Sequence, residues 1–224
     1  FMFISIAGNI GLGKSTLAKI ISEEWDFKLK EERVGEANEY LIPFYEDINA
    51  GVKPSKRAHD LQMFFLETRA KDHRELQESE GRWVQDRSIY EDPYIFAIHL
   101  NNEGFLSDLD YDNYLDSFHK AEEDLKFPSL LVHLRGTANL ARERISKRNR
   151  PEEAKLIDPA NDYLDRLNNL YETFLSRYGG DCLIINANHD IENNPDERKK
   201  VLKLIKGHTP GLNIDKARIN PPNI

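Results

Sequence analysis

The chain has 224 residues, 39% of them hydrophobic and 31% charged, with a formal net charge of −8. That length suits one α/β domain with a full core, and the acidic balance argues against general nucleic-acid binding, which calls for a basic face. The single cysteine, Cys182, leaves no internal disulfide and suits a reducing compartment. It sits in an apolar run and reads as a buried core thiol. No stretch approaches the roughly 20 apolar residues of a membrane helix, and no signal peptide is visible. The expectation is a cytoplasmic protein without a membrane partner, a mitochondrial location staying open.

In chain order, the run Phe3–Ala7 predicts a first buried strand. Directly after it, Gly8-Asn9-Ile10-Gly11-Leu12-Gly13-Lys14-Ser15-Thr16 spells G-x-x-x-x-G-K-S between strand and helix. Glycines there let backbone N–H groups turn inward around phosphate oxygens, and the helix that follows points its positive end at them. Lys14 is expected to reach the outer phosphates, and the Ser15 hydroxyl to hold Mg²⁺. Phe27–Glu31 predicts a second strand, which runs into Glu31-Glu32-Arg33-Val34-Gly35-Glu36. Those acids read either as a solvated turn or as a site carboxylate.

The stretch 56–79 predicts a helix. Gln62 and Arg69 lie seven apart on it, near one stripe and about 10.5 Å apart along the axis. They stand among Leu61, Met63, Phe64, Phe65 and Leu66. A buried glutamine needs partners, and a nucleobase edge supplies them. Arg82–Gln85 predicts a third strand, ending at Asp86-Arg87 with Glu91 and Asp92 close behind. In a parallel sheet the ligand crevice lies at the carboxyl ends of the strands. Asp86 there can hold Mg²⁺ through water, and Arg87 can face the transferred group. A surface ion pair is the blander reading.

A helix over 108–125 and a fourth strand at Leu130–Leu134 come next. Residues 142–150 read RERISKRNR, five positive charges in nine residues, with Arg144 and Arg148 on one helix face and Arg150 at its end. A helix over 159–178 follows, with Tyr163, Leu164, Leu167, Leu170, Tyr171, Phe174 and Leu175 on one face and Gly179-Gly180 as its stop. Cys182–Asn186 predicts the fifth strand. From Gly207 onward Pro, Gly and Asn recur without periodicity, which predicts an irregular arm. Strands alternating with helices imply a parallel sheet covered on both faces. The seven histidines show no metal-ligand spacing.

The run DRSIYEDPYIF, taken with GNIGLGKST, resembles the deoxynucleoside kinases, especially the bacterial deoxyadenosine and deoxyguanosine enzymes, over roughly residues 2–205. The resemblance implies a three-layer P-loop kinase fold, with a five-stranded parallel sheet in the order 2-3-1-4-5 and an arginine-rich lid. It implies a kinase domain over residues 1–206 and a tail over 207–224. ATP and Mg²⁺ are the implied donor and cofactor, a deoxynucleoside the implied acceptor, and a homodimer through helices the implied assembly.

The resemblance also assigns roles. Gly8, Asn9, Gly11, Gly13, Lys14, Ser15 and Thr16 would cradle phosphates, and Ser15 and Asp86 would serve the metal. Glu32, in an E-x-V setting, would take the proton from the 5′-hydroxyl, with Glu31 and Glu36 as alternatives. Arg87 would stand by that oxygen. Gln62, Arg69 and Asp92 would read the base, Asp92 pairing with Arg69. Tyr45 and Glu153 would meet the sugar 3′-hydroxyl. Arg144, Arg148 and Arg150 would form the lid, Arg144 flanking the adenine of ATP, and the loop Asn188–Ile191 would meet that base. Phe64, Phe65, Tyr94 and Phe96 are candidates for stacking on the acceptor base, although aromatic residues at helical spacing are more often core. A purine is expected, with deoxycytidine open. Two other readings stand beside this one: a deoxynucleoside monophosphate kinase, suggested by Arg33, and a non-catalytic accessory subunit, suggested by the tail.

Overall fold

Alternation along the strands decides which core layer each residue joins. In β1 (Met2–Gly8), Ile4 and Ile6 enter one apolar cluster and Ala7 the opposite one. In β4 (Leu130–Arg135), Leu130, Val132 and Leu134 join the first cluster and Leu131 the second. The first is closed by α1 (Lys14–Trp25) through Leu17 and Ile21, and by α8 (Pro195–His208) through Val201 and Ile205. The second is closed by α3 (Lys56–Glu78), α5 (Asp108–Glu122) and α7 (Tyr163–Arg177), through Leu66, Phe118 and Phe174 among others.

The computed structural model describes residues 2–32 and 38–209. Its remaining elements are β2 (Lys28–Lys30), α2 (Leu41–Ala50), β3 (Arg82–Asp86), α4 (Ile98–Asn102), α6 (Ala138–Arg148) and β5 (Cys182–Asn186). A π-helical turn, Asp92–Ala97, leads into α4, and a 3₁₀ turn, Pro151–Ile157, follows α6. Every strand pairing is parallel and the order is β2-β3-β1-β4-β5, so the three-layer α/β fold is the one the resemblance implies. No helix among the described residues is long and apolar enough to cross a membrane.

Register places the site. Ile6 pairs with Asp86, Gly8 with Leu134, and Arg135 with Asn186, so three strand ends and the first loop share one rim of the sheet. Side-chain caps fix the helices that approach it. Ser55, Ser107, Thr137 and Asn194 each accept a backbone N–H in the first turn of the helix that follows, at about 1 kcal/mol apiece.

Some expectations change. The helix expected from 159 begins at Tyr163, because Asp158 and Asn161 side chains accept the N–H groups of Ala160 and Tyr163 and hold a turn there. The helix expected to reach 125 stops at Glu122 in a turn closed by Leu125 N–H on the Glu122 carbonyl. Gly207 lies inside α8 rather than opening the arm, and residues 210–224 lie outside the described residues. Cys182 is exposed, not buried, because it is the first residue of an edge strand.

Candidate active site

The loop between β1 and α1 is shaped by space as much as by conformation. Gly8 has φ 140°, and a Cβ there would come within 2.7 Å of the Leu134 carbonyl oxygen. At Gly11, φ 80°, a Cβ would lie 2.8 Å from both the Ala141 oxygen and Ile145 Cγ1. Asn9 ties the loop to α7, its Nδ2 donating to the Leu164 carbonyl (2.8 Å) and to Asn168 Oδ1 (2.7 Å). Gly8 and Asn9 therefore set the loop from behind. Lys14 is buried and donates to the Asn9 carbonyl at 2.9 Å. Burial, and then Arg87, push its pKa down to about 8.

Asp86 ends β3 beside this loop. Its Oδ2 accepts from Ser15 Oγ at 2.5 Å, while its buried Oδ1 has no hydrogen-bond partner. Burial pushes the carboxyl upward against the pull of Lys14. An unpartnered carboxylate oxygen next to a serine hydroxyl fits a hydrated Mg²⁺. Among the described residues no group of three or more His, Cys, Asp or Glu makes a protein cage, so water and phosphate oxygens would complete the coordination shell. Arg87, next in sequence, takes a left-handed backbone with φ 67°. Its Nε lies 2.9 Å from Glu32 Oε1, and its Nη1 donates to the Gly8 carbonyl (3.2 Å), Tyr171 OH (3.1 Å) and Glu91 Oε1 (3.2 Å).

Glu32 stands between two arginines, with Arg69 Nη2 2.6 Å from the same Oε1 that meets Arg87. Burial alone would raise its pKa, but Arg87 and Arg69 outweigh it and hold the carboxyl below the usual range. Glu31 lines the same cavity yet is exposed, and Glu36, like Arg33, lies outside the described residues. Arg69 continues the chain to Asp92 through Nη1 and Oδ1, as the resemblance implied, and its guanidinium sits 4.3 Å from the Phe65 ring centre. Burial pushes Asp92 up to about 7, Arg69 offsetting only part of the effect. Gln62 is buried with its Oε1 unpartnered, and Asp92 Oδ2 is unpartnered too.

These groups line a cavity of 340 Å³, together with Tyr45, Phe65, Phe96, Glu153 and Tyr163. Two stacking candidates are corrected. Tyr94 is 41% exposed and packs against Phe118 and Phe174; Phe64 packs on Tyr40 and is not in the wall. Asp92, Phe96 and Leu100, four residues apart along the π-helical turn and α4, face the cavity together, while Tyr94, two residues from Asp92, turns outward.

A second cavity, 650 Å³, lies across the loop. Gly13, Thr16, Arg144 and the 189–193 loop are in its wall, while Gly11, Lys14, Ser15, Arg148 and Arg150 line both cavities. Arg144 is fixed, donating to the carbonyls of Leu12 (2.9 Å) and Ala187 (2.6 Å). Arg148 grips Glu153 with two donors, Nε to Oε2 at 2.7 Å and Nη2 to Oε1. Asn149 ends α6 in the left-handed region, φ 49°, so Arg150 leaves the helix direction and stays exposed. Glu91 and Tyr171 escaped the sequence reading as site residues. The only signal was that Glu91 stands four residues after Arg87, the distance of one helical turn.

A phosphate loop on β1, an acid–arginine pair at the end of β3 and a cavity on each side of the shared lysine define a phosphotransferase that uses a nucleotide donor. The pattern described as "Deoxynucleoside kinase" matches residues 4–209, and the chain belongs to that family; it is a deoxynucleoside kinase. It is similar to the deoxyadenosine/deoxycytidine kinase of Bacillus subtilis, 32% identical over 210 residues, covering 89% of this chain and 92% of that protein. The deoxyadenosine kinase of Dictyostelium discoideum is 32% identical over 219 residues, 98% of this chain and 83% of that one. Among solved structures, the M. mycoides deoxyadenosine kinase with products dCMP and a flexible dCDP bound has a TM-score of 0.76 at 26% identity, covering 92% of this chain and 99% of that chain.

Proposed function

We propose that this enzyme transfers the γ-phosphoryl group of ATP to the 5′-hydroxyl of a deoxynucleoside, deoxyadenosine first and deoxycytidine second. The observation that carries this is that Lys14 and Ser15 line both cavities, with Glu32, Asp86 and Arg87 in the wall of the smaller one. A donor in the larger cavity and an acceptor in the smaller would meet at the loop.

Glu32 takes the proton of the 5′-hydroxyl. Its low pKa keeps it ionised at neutral pH, ready to accept a hydrogen bond, and in a loose phosphoryl-transfer transition state the proton moves late. The hydroxyl oxygen bonds to the γ-phosphorus as the bond to the bridging oxygen breaks and ADP leaves. Arg87 orients the attacking oxygen, and Lys14 with the lid residues Arg148 and Arg150 offsets charge on the phosphates. Ser15 and Asp86 would hold Mg²⁺, which would offset phosphate charge when bound. Tyr45 and Glu153, in the same wall, hold the sugar.

The base preference rests on acceptors. Gln62 Oε1 and Asp92 Oδ2 are buried without partners, and both call for a donor. At the 6-position of a purine or the 4-position of a pyrimidine, adenine and cytosine offer an amino group where guanine and thymine offer a carbonyl. The two relatives described above carry deoxyadenosine in their names, while others of similar identity are named for deoxyguanosine, so the ordering rests on the two acceptors. A homodimer is part of the proposal, and sedimentation tests it. ATP consumption with four deoxynucleosides, and with dAMP as acceptor, tests the rest. Deoxyadenosine should turn over fastest; activity on dAMP alone, or fastest on deoxyguanosine, overturns the reading. Glu32→Gln should remove turnover by about 10³-fold while ATP still binds, and retained turnover would move the base to Glu31 or Glu36.

A further inference from the structure

Arg87 is held in a conformation that needs holding. A non-glycine residue in the left-handed region is strained, and such strain persists only where its surroundings over-determine it. Three contacts do so here. The Arg87 N–H donates to the Ile6 carbonyl at 2.9 Å, extending the β3–β1 ladder by one rung. The next N–H, of Ser88, donates to Glu91 Oε2 at 2.9 Å, and the Arg87 guanidinium donates to Glu91 Oε1 at 3.2 Å. One carboxylate thus grips both the main chain after Arg87 and the end of its side chain.

The same carboxylate reaches the phosphate loop. Glu91 Oε1 accepts from the Gly8 N–H at 3.4 Å. The Tyr171 hydroxyl lies 2.7 Å from Glu91 Oε1 and 2.9 Å from the Gly8 carbonyl, and accepts from Arg87 Nη1 at 3.1 Å. Glu91 therefore joins the first residue of the loop, the residue after β3 and a tyrosine on α7 from behind the site. It lines neither cavity.

Charge gives a second argument. Arg87 is buried and has two carboxylate partners of different kinds. The Glu32 side chain is 18% exposed and faces the acceptor cavity; the Glu91 side chain is 0% exposed and does not. Only Glu32 can turn toward an incoming hydroxyl. A buried guanidinium that lost its sole counter-charge at that moment would pay a severe desolvation penalty. Glu91 keeps Arg87 compensated while Glu32 is engaged.

We infer that Glu91, assisted by Tyr171, is a positioning residue for phosphoryl transfer: it fixes the Arg87 guanidinium at a set distance from the phosphate loop and stays as its permanent counter-ion. This rests on the role proposed above for Arg87. The test is a double-mutant cycle of Glu91→Gln and Arg87→Lys, followed by kcat and KM for both substrates, with thermal unfolding and ATP binding as folding controls. Glu91→Gln should lower kcat about 30-fold with both KM values within about threefold, because a small misplacement of an orienting group acts on turnover. In the Arg87→Lys background it should lower kcat by no more than about threefold further. Unchanged kcat in Glu91→Gln, or losses that multiply in the double variant, would overturn the inference while leaving the role of Arg87 intact. Undiminished turnover in Arg87→Lys would overturn both, a distinct result. If Glu91→Gln does not fold, Tyr171→Phe carries the test: kcat should fall about fivefold at constant KM, and an unchanged kcat overturns the inference.

Discussion

The smaller cavity draws its polar wall from side chains that already hold one another. Glu32, Arg69, Arg87 and Asp92 form a single chain of ion pairs, closed by the aromatic faces of Phe65 and Phe96. The larger cavity is walled by loop backbone, by Arg144 tied to carbonyls, and by exposed lid residues. Groups locked into a buried network have lost their rotational freedom before any ligand arrives, so they suit discrimination between bases and exact placement of one oxygen. Backbone donors and exposed arginines suit a triphosphate, whose charge is large and whose position the glycine loop already fixes.

The comparison breaks most severely at the junction, where Asp86 in the wall of the smaller cavity meets the shared Ser15. Asp86→Asn removes the carboxylate that faces Ser15, and kcat should fall about 10³-fold with either acceptor, checked by steady-state turnover over a magnesium titration. Loss confined to one acceptor would argue that Asp86 belongs to the base pocket alone. Arg144→Ala, at a residue in the wall of the larger cavity only, probes the donor half. The KM for ATP should rise about tenfold and kcat fall by a similar factor, while the deoxyadenosine KM moves less than threefold.

The acceptor half is sharpened by pH. Asp92 has its pKa pushed up to about 7, so below that pH it is largely a carboxylic acid, and above it a carboxylate that only accepts. The ratio of kcat/KM for deoxyadenosine over deoxyguanosine should therefore rise severalfold between pH 6 and pH 8. Asp92→Asn should flatten the rise, and a ratio indifferent to pH in the intact enzyme would remove Asp92 from base reading. The smallest effect concerns the frame of the donor half. Asn194 accepts from the N–H groups of Asp196 and Glu197 at the start of α8, and Asn194→Ala should cost about 1 kcal/mol in denaturant unfolding with kcat unchanged.

How much was legible in the chain follows the same division. The glycine loop could be read because its chemistry is local: glycines, lysine and serine act from adjacent positions on one loop. Asp86-Arg87 could be read because a strand end in a parallel sheet has a known address. Arg69 and Asp92 were paired through the resemblance, since 23 residues separate them. Glu91 was visible as a charge and not as a site residue, because its partner Tyr171 is 80 residues away on α7. Tyr94 and Phe64 were offered to the base because periodicity alone cannot orient an aromatic ring. Tyr94 stands two residues from Asp92 and from Phe96, on the other face of the turn that bears them. The termination of α5 and the late start of α7 escaped for a similar reason: side-chain and turn hydrogen bonds decided them, not apolar spacing.

The β2 edge of the sheet carries a consequence for how copies of this chain can meet. That strand is three residues long; Lys28 reaches over the Trp83 ring, and Lys30 is anchored 2.8 Å from Asp72. Lysines on so brief a margin leave little open ladder for another chain to extend. Self-association along that border by continuing the sheet is disfavoured, and any pairing of two copies falls to helical surfaces or the opposite margin.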